Sequence, residues 1–538
     1  MQGSSPQVLI VGGGPCGLAA AIELGHRGIR TLVVERNDRV GYSPRSKTTH
    51  TRTCEHLRRW GIAKNLKKAS PLGVDYPSNM AFVTRLNGKL ITTVEDAMYC
   101  KPVRNELYAE HAQWIPQYIL EEVLRVHAAT LPTVTIRFQT EMISFEQRPD
   151  GVTARLRNSA SGEEMETHCE YLIGADGARS AVRDAIGATM QGESGLSRNY
   201  NIIFHCPGLY DAVRLGPAVM YWIVNDDLPC TMGPLDYNDH WYFMPLFIPD
   251  GWKLQDFEVP ALVSKATGLD LPCRILSSDE WVANRLVADR YHDRRVFLAG
   301  DAGHLHPPHG GFGMNSSVHD AVDLGWKIAA TLQGWAGPAL LESYEQERKP
   351  VHRLMVEQSI TNHGLAPHRY IRPGLADDTP DGERTRREMG VRIHAEKAPE
   401  FRSLGIVLGY RYDGSPTIVS DGSDPPRQTV TDYTPSAYPG CRAPHAWLED
   451  GSSLYDHFGS GFTLLADVAD FEVDAALREA GSLGVPLKAM EFPTRAIADL
   501  YQARYALIRP DQHVAWRGPS LASFRTLLAR VTGLVRLQ

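Results

Sequence analysis

Three glycine-bearing blocks carry residue types that could do chemistry together: Gly12-Gly13-Gly14-Pro15-Cys16-Gly17, Gly174-Ala175-Asp176-Gly177, and the run from Gly300-Asp301 to Asn315. In the first, Gly12, Gly14 and Gly17 suit a turn that brings backbone N–H groups against a pyrophosphate at a helix N-terminus. Glu35, 23 residues after Gly12, can accept from ribose hydroxyls, and an acid there favours an adenosine without a 2′-phosphate. Arg36 adjoins it. Asp301 directly follows an apolar run, so its carboxylate falls at a strand's C-terminal edge, where ligands bind in open α/β sheets. There it can bond a sugar-alcohol chain or cap a helix. After Pro307-Pro308, Gly310, Gly311 and Gly313 let a flat ring approach the backbone. A helix expected to begin near Asn315 would aim its positive end at that ring and favour the negative charge of a reduced flavin. One such fingerprint is weak; three in this order indicate FAD.

These residues need a nucleotide-binding scaffold. Gln7–Val11 reads as a buried strand, Leu18–Gly28 as a helix and Arg30–Glu35 as a second strand, which is the context the fingerprint requires. Arg295–Ala299 is another buried strand. Helices are expected over Asn105–Ala128, Ser316–Leu332 and Leu340–Gly364. Aromatic and β-branched runs between 201 and 282, separated by Gly, Pro, Asn and Asp, have the pattern of an antiparallel sheet. The expected fold class is α/β with an α+β insert. A Rossmann-like FAD-binding domain (1–75, 111–200 and 283–395) surrounds a sheet domain for substrate (76–110 and 201–282). A linker or crossover (396–440) leads to a final unit (441–538).

With 538 residues, two or three domains are expected. The chain is 43% hydrophobic and 22% charged, as in ordinary globular proteins. A net charge of -7 gives no reason to expect nucleic acid or an acidic membrane as partner. No apolar run approaches a membrane span, and residues 1–7 lack the pattern of a secretory signal. The eight cysteines are scattered without a CxxC pair, so no conventional zinc or dithiol site, and no metal, is expected. A cytoplasmic location, with the thiols reduced, is the expectation.

On these motifs the chain resembles the class A flavoprotein aromatic hydroxylases, the para-hydroxybenzoate hydroxylase fold group. Within it the chain is most similar to the phenol-hydroxylase and polyketide-hydroxylase branch. The family's Pro-Pro-x-Gly-Gly-x-Gly-Met-Asn is matched through Met314 and Asn315, with Gly303 upstream where Ala is usual. Its middle motif, associated with FAD and NAD(P)H, is matched at Asp176, Gly177, Ser180 and Arg183. Its Pro-Arg and Arg-Thr pairs are matched at Pro44-Arg45 and Arg52-Thr53. The resemblance implies that Arg45 contacts the FAD pyrophosphate and helps receive the nicotinamide nucleotide, and that Gln117 contacts FAD. Pro444–Leu448 and Arg509–Gly518 resemble that branch's C-terminal thioredoxin-like domain. Without CxxC a structural or homodimer-contact role is expected there.

The implied reaction is monooxygenation of a phenolic or polycyclic aromatic. NADPH or NADH reduces FAD, O2 is captured as a C4a-hydroperoxyflavin, and one oxygen passes to an electron-rich ring carbon, with Pro308 bordering the oxygen pocket. Lys47 stands where certain phenol hydroxylases place a His. It could stabilise a phenolate, bind a substrate carboxylate, or be a surface lysine. His309 could touch substrate or cap its loop; His304 and His306 are read as structural. His205, Tyr221, Trp222, Met232 and Tyr242 are substrate candidates on the inserted sheet, although alternation allows only some to face inward. Baeyer–Villiger oxygenation, epoxidation, an FAD oxidase or reductase, and a non-catalytic flavoprotein are the alternatives.

Overall fold

The structure is a computed structural model, and it describes residues 5–38, 46–249, 251, 253–256, 258–468 and 470–535. Val8–Val11, Thr31–Val34 and Tyr171–Gly174 are short apolar strands with every residue buried. Strands covered on both faces read in this way. They form a six-stranded sheet in the order His292–Asp293, Val296–Leu298, Tyr171–Gly174, Val8–Val11, Thr31–Val34, Val134–Arg137, parallel except at the first pair. The helix Pro15–Gly25 starts directly behind Gly14 with proline at its first position, where no N–H is needed.

The second large sheet has eight strands, in the order His304–Leu305, Arg274–Ala288, Met190–His205, His240–Pro245, Cys230–Pro234, Met220–Ile223, Met80–Val83, Leu90–Val94. Two of them, Met190–His205 and Arg274–Ala288, pair antiparallel over most of their length and run across the 200/201 and 282/283 borders. The insert is therefore continuous with the nucleotide-binding part. His304–Leu305 closes one edge of this sheet, so the chain after Asp301 is anchored in both layers.

Three expectations need correction. Only Gln117–Ala128 of the Asn105–Ala128 stretch is α-helix, because Pro116 occupies its N-cap and the preceding residues carry a two-residue strand, Gln113–Trp114. The long helix after the glycine loop is Phe312–Leu332, since Gly311 in the left-handed region makes the turn. Asn315 thus lies inside its first turn. The stretch read as linker begins within a 22-residue helix, Pro380–Phe401, whose Thr379 side chain accepts from Gly382 N–H.

The C-terminal unit is a four-stranded sheet in the order Leu487–Glu491, Phe462–Ala466, Tyr505–Ile508, Val514–Gly518, with three helices in the βαβ-then-ββα arrangement of thioredoxin-like folds. Its core is shared with the flavin-side helices. Trp326 and Leu340 pack in one cluster with Phe462, Leu507 and Phe524. Cys206 and Cys273, 67 residues apart, bring their Sγ atoms to 2.7 Å, a contact that spacing did not disclose.

Candidate active site

One cavity of about 820 Å³ runs from the edge of the parallel sheet to the face of the antiparallel sheet. At its sheet-edge end the glycines divide by role. A Cβ on Gly12, whose φ is +110°, would sit 2.2 Å from the Ala175 carbonyl oxygen, and one on Gly17 would sit 1.9 Å from the Gly12 oxygen. Both are demanded by backbone packing, and Gly12 is where the first and second blocks touch. A Cβ on Gly14 would meet nothing within 4 Å. That open side belongs to the cavity, which Gly12, Gly13 and Gly14 all line. Gly13 N–H donates to Glu35 Oε2 at 2.8 Å. Glu35 Oε1 accepts from Asn37 N–H and its side-chain amide, and Glu35 and Arg36 line the same end.

Asp176 also lines the cavity, yet its carboxylate is occupied by protein. Oδ1 accepts from the Ser180 hydroxyl at 2.5 Å and Oδ2 from Val182 N–H at 3.1 Å. It shapes the turn into a short helix. Arg183 then donates to the Ala178 and Ala302 carbonyls, tying the second block to the third.

The third block is held from below. Asp320 accepts from Gly300 N–H and His304 Nε2 on one oxygen, both at 3.0 Å, and from Arg348 Nε at 2.7 Å and His352 Nε2 at 2.8 Å on the other. His304, Asp320 and His352 have the proximity of a metal site. Here both imidazole Nε2 atoms bond Asp320, His352 Nδ1 bonds the Tyr291 hydroxyl at 2.6 Å, and Arg348 supplies the cation. This lock sets the Gly300 turn, from which Asp301 lines the cavity.

Pro308, His309, Gly311, Gly313 and Met314 all line the cavity beside the start of the Phe312–Leu332 helix. Asn315 does not. Its Oδ1 accepts from His50 N–H and the Thr53 hydroxyl, and its amide donates to the Thr48 and Gly311 carbonyls. It positions the glycine loop against Thr48-Thr49. Gln117 lines the cavity, accepts from Ser46 N–H and donates to Glu121. Arg45 lies outside the described residues.

The antiparallel sheet resolves the substrate candidates by parity. Trp222 and its cross-strand partner Thr231 face the cavity. Tyr221 and Met232, paired one position on, pack into the cluster on the far face, where Tyr221 donates to the Gly216 carbonyl. His205 ends its strand against the His240 ring, away from the cavity. Tyr242 does not line it either. Its hydroxyl donates to the Val219 carbonyl, and its ring lies 4.2 Å from the Lys47 ammonium. His205, Tyr221, Met232 and Tyr242 are thus corrected to supporting positions. Met80, Trp114, Met220, Met244, Glu400 and Phe401 line the chamber and were not anticipated. The first four sit on short strands without a motif. The last two end the helix taken for linker, for which Thr379-Pro380-Asp381 was a usable start signal.

Lys47 is only 7% exposed. Its Nζ has the Met244 sulfur at 3.8 Å and the Tyr242 ring as neighbours. Burial pulls its pKa down to about 8.

The open parallel sheet, the glycine turn at its edge and the helix start facing one long cavity define a dinucleotide-type flavin fold. FAD fits this cradle: Gly14 leaves open space on the cavity side, and Gly311 and Gly313 line the same cavity farther on. Residues 5–359 match the family described as FAD binding domain, and 436–534 match the aromatic-ring hydroxylase C-terminal family. The chain is 32% identical to 2,4-dichlorophenol 6-monooxygenase of Delftia acidovorans, covering 95% of this chain and 94% of that one. It is 32% identical to aklavinone 12-hydroxylase RdmE of Streptomyces purpurascens, covering 97% of each. Among solved structures, the rebeccamycin biosynthetic enzyme RebC with reduced flavin superposes with a TM-score of 0.90 at 35% identity, covering 98% of this chain and 99% of that one. Aklavinone-11 hydroxylase with FAD and aklavinone gives 0.85 at 30%, covering 99% and 100%. The chain belongs to the FAD-dependent aromatic-ring hydroxylases and is a flavoprotein monooxygenase.

Asp301→Ala is expected to lower FAD occupancy sharply, read as flavin absorbance per protein after gel filtration. Full, tight occupancy in that variant would remove Asp301 from the cofactor site.

Proposed function

We propose that this enzyme hydroxylates a phenolic or polycyclic aromatic compound, using NADPH or NADH, and that Lys47 receives an anionic group of that substrate. The observation that carries the reading is the single cavity in which the flavin cradle opens directly onto a chamber of Trp114, Trp222, Met80, Met220 and Met244. Bound FAD would supply reduction and oxygen activation. The chain's part is to hold the ring and exclude water. Glu35 and Asp301 are assigned to the adenosine and sugar-alcohol parts of FAD, and Pro308 to the border between cofactor and substrate.

Lys47 adds specificity. Among the described residues no carboxylate pairs with Lys47, and a buried ammonium in that state is costly unless a ligand compensates it. A phenolate or ring carboxylate is that compensation. Sign and window follow from the lowered pKa: Lys47 is charged below about 8 and loses its charge as pH rises through that value. Affinity for an anionic aromatic is expected to fall across pH 8 in the wild type. In Lys47→Met it should be weaker by roughly thirtyfold at pH 7, the worth of a hydrogen bond to a charged group, and flat across that pH range. An unchanged titration of affinity in the variant would exclude this role.

The deciding experiment is product mass after incubation with NADPH or NADH, O2 and a panel of phenols, quinols and polyketide-like aromatics. A product heavier by one oxygen supports the monooxygenase reading, and its structure separates ring hydroxylation from oxygen insertion beside a ketone or epoxidation. Oxygen-independent turnover would favour a reductase. We further propose a cytoplasmic enzyme whose C-terminal unit is structural, with a homodimer testable by light scattering. No helix among the described residues is long and apolar enough to cross a membrane.

A further inference from the structure

On the face of the antiparallel sheet turned away from the cavity, two cysteine sulfurs meet. Cys206 directly follows the strand Met190–His205, and Cys273 directly precedes its antiparallel neighbour, Arg274–Ala288. His205 pairs with Arg274, so the two cysteines take the next position of the same ladder. Residues facing each other there have Cα atoms about 4.5–5.5 Å apart, within the span of a disulfide. Both are free thiols, and their Sγ atoms lie 2.7 Å from one another. A disulfide bond is about 2.05 Å long, so closing it takes less than an ångström of movement.

Cys206 is buried in the apolar cluster with Leu209, Leu262 and Val263, and Cys273 lies half-buried at the edge of that cluster. A small oxidant therefore meets Cys273 first. Burial pushes both thiols up, and the Cys206 sulfur pulls the Cys273 thiol partway back. Cys273 is thus the readier of the two to ionise, and the thiolate is the nucleophile. The other six cysteines are all buried. The ladder beside the pair is irregular. Ile203 faces Ser277 and Phe204 faces Ile275, which leaves Leu276 as the extra residue of a bulge. Leu276 is 43% exposed, and with Ser277 and Asp279 it lines the cavity. The bulge therefore lies at the cavity mouth, three residues beyond Cys273. An extra residue interrupts the ladder, so this stretch opens locally more readily than the paired strand around it.

We propose that Cys206 and Cys273 form an oxidisable dithiol, and that their disulfide fixes the bulged strand at the mouth of the cavity. The oxidant is hydrogen peroxide. The Cys273 sulfur attacks one peroxide oxygen, the O–O bond breaks, and a sulfenic acid and water form. The Cys206 sulfur then attacks the Cys273 sulfur. The S–S bond forms, the S–O bond breaks, and hydroxide leaves with the Cys206 proton as a second water. The two thiols give up two electrons and two protons, and the peroxide takes them to become two molecules of water. A dithiol reductant reverses the step by exchange at the Cys273 sulfur. In a reducing compartment the pair rests as thiols and the bond is transient. The crosslink joins residues 67 positions apart, so it also removes chain entropy from the unfolded state. None of this chemistry requires the flavin or the aromatic substrate.

The test uses the full chain loaded with FAD and treated with hydrogen peroxide, or with diamide as a direct thiol oxidant. Thiol titration in denaturant should fall from eight by the two of the pair, to six, and a peptide map should join Cys206 to Cys273. Dithiothreitol should restore all eight. In Cys206→Ser the sulfenic acid on Cys273 has no partner and should be captured by dimedone. Oxidation should raise the thermal midpoint of the wild type by roughly 5 °C, as expected for closing a long loop. Hydrogen exchange over residues 274–279 should slow in the oxidised wild type and stay unchanged in treated Cys206→Ser. Eight thiols remaining after both oxidants, or a disulfide that uses any other cysteine, would overturn the proposal. A disulfide between Cys206 and Cys273 that left exchange over 274–279 at its reduced rate would overturn its hold on the cavity mouth.

Discussion

Asp320→Ala is expected to lower stability by about 3–5 kcal/mol, because it leaves a buried cation without its partner. FAD should be lost with it. Arg348, His304 and His352 are all buried, and each bonds the Asp320 carboxylate, as does Gly300 N–H. Burial alone would raise the Asp320 pKa, but His352 and Arg348 hold it well below the carboxylate range, so the group is an anion at pH 7. Removing it strands the Arg348 guanidinium and frees the turn that aims Asp301 into the cavity. The readout is the urea midpoint together with flavin per protein. Asp320→Asn keeps the shape without the charge and should fall between. A wild-type midpoint in Asp320→Ala would refute the lock.

The second large effect is expected at Arg509, where the C-terminal unit meets the flavin-side helices. Arg509 bonds Glu347 at 2.7 Å, Asp323 at 2.9 Å and Asp511 at 2.7 Å, and Lys327 bonds Asp323 and Glu347. Three carboxylates therefore surround two cations, with every member buried. Burial, with Glu347 and Asp511 nearby, pushes the Asp323 carboxyl well above the usual carboxylate range, which favours a proton held within the cluster. The stability this proton contributes is present at acid pH and declines as pH rises above the ordinary carboxylate value, until the raised Asp323 group ionises in the folded protein. Arg509→Leu leaves three carboxylates and one lysine in the interior. It should destabilise by about 3–5 kcal/mol. The C-terminal unit should become the first site of cleavage in limited proteolysis, since Arg509 ties its sheet to the Phe312–Leu332 and Pro338–His363 helices through Asp323 and Glu347, beside the shared apolar core. A proteolysis pattern and melting temperature equal to wild type would show that the shared apolar core around Trp326 and Phe462 holds the unit without it.

Both networks join residues far apart in the chain, and neither is visible in the sequence. What the sequence determined is what short-range geometry enforces. Gly12 and Gly17 are readable because no side chain fits where they sit, and the strand–turn–helix context is local. The order of the three blocks carried the cofactor, the fold class and the family. Strand alternation meant that only some of Tyr221, Trp222 and Met232 could share one face of the sheet.

Only the tertiary structure decided which ones. Which face of a sheet becomes a cavity depends on what packs against the other face, and that is set by contacts between remote strands. Trp222 faces in and Tyr221 faces out for this reason. Asp176 and Asn315 keep their motif positions, but their polar atoms bond protein, because the turns they serve must be closed before a ligand can be held. Glu400 was hidden in a segment read as linker, since a helix whose polar residues are buried lacks the clean apolar stripe that marks helices in sequence. Its pairing with His309 joins residues 91 positions apart, and only folding could bring that carboxylate to that imidazole.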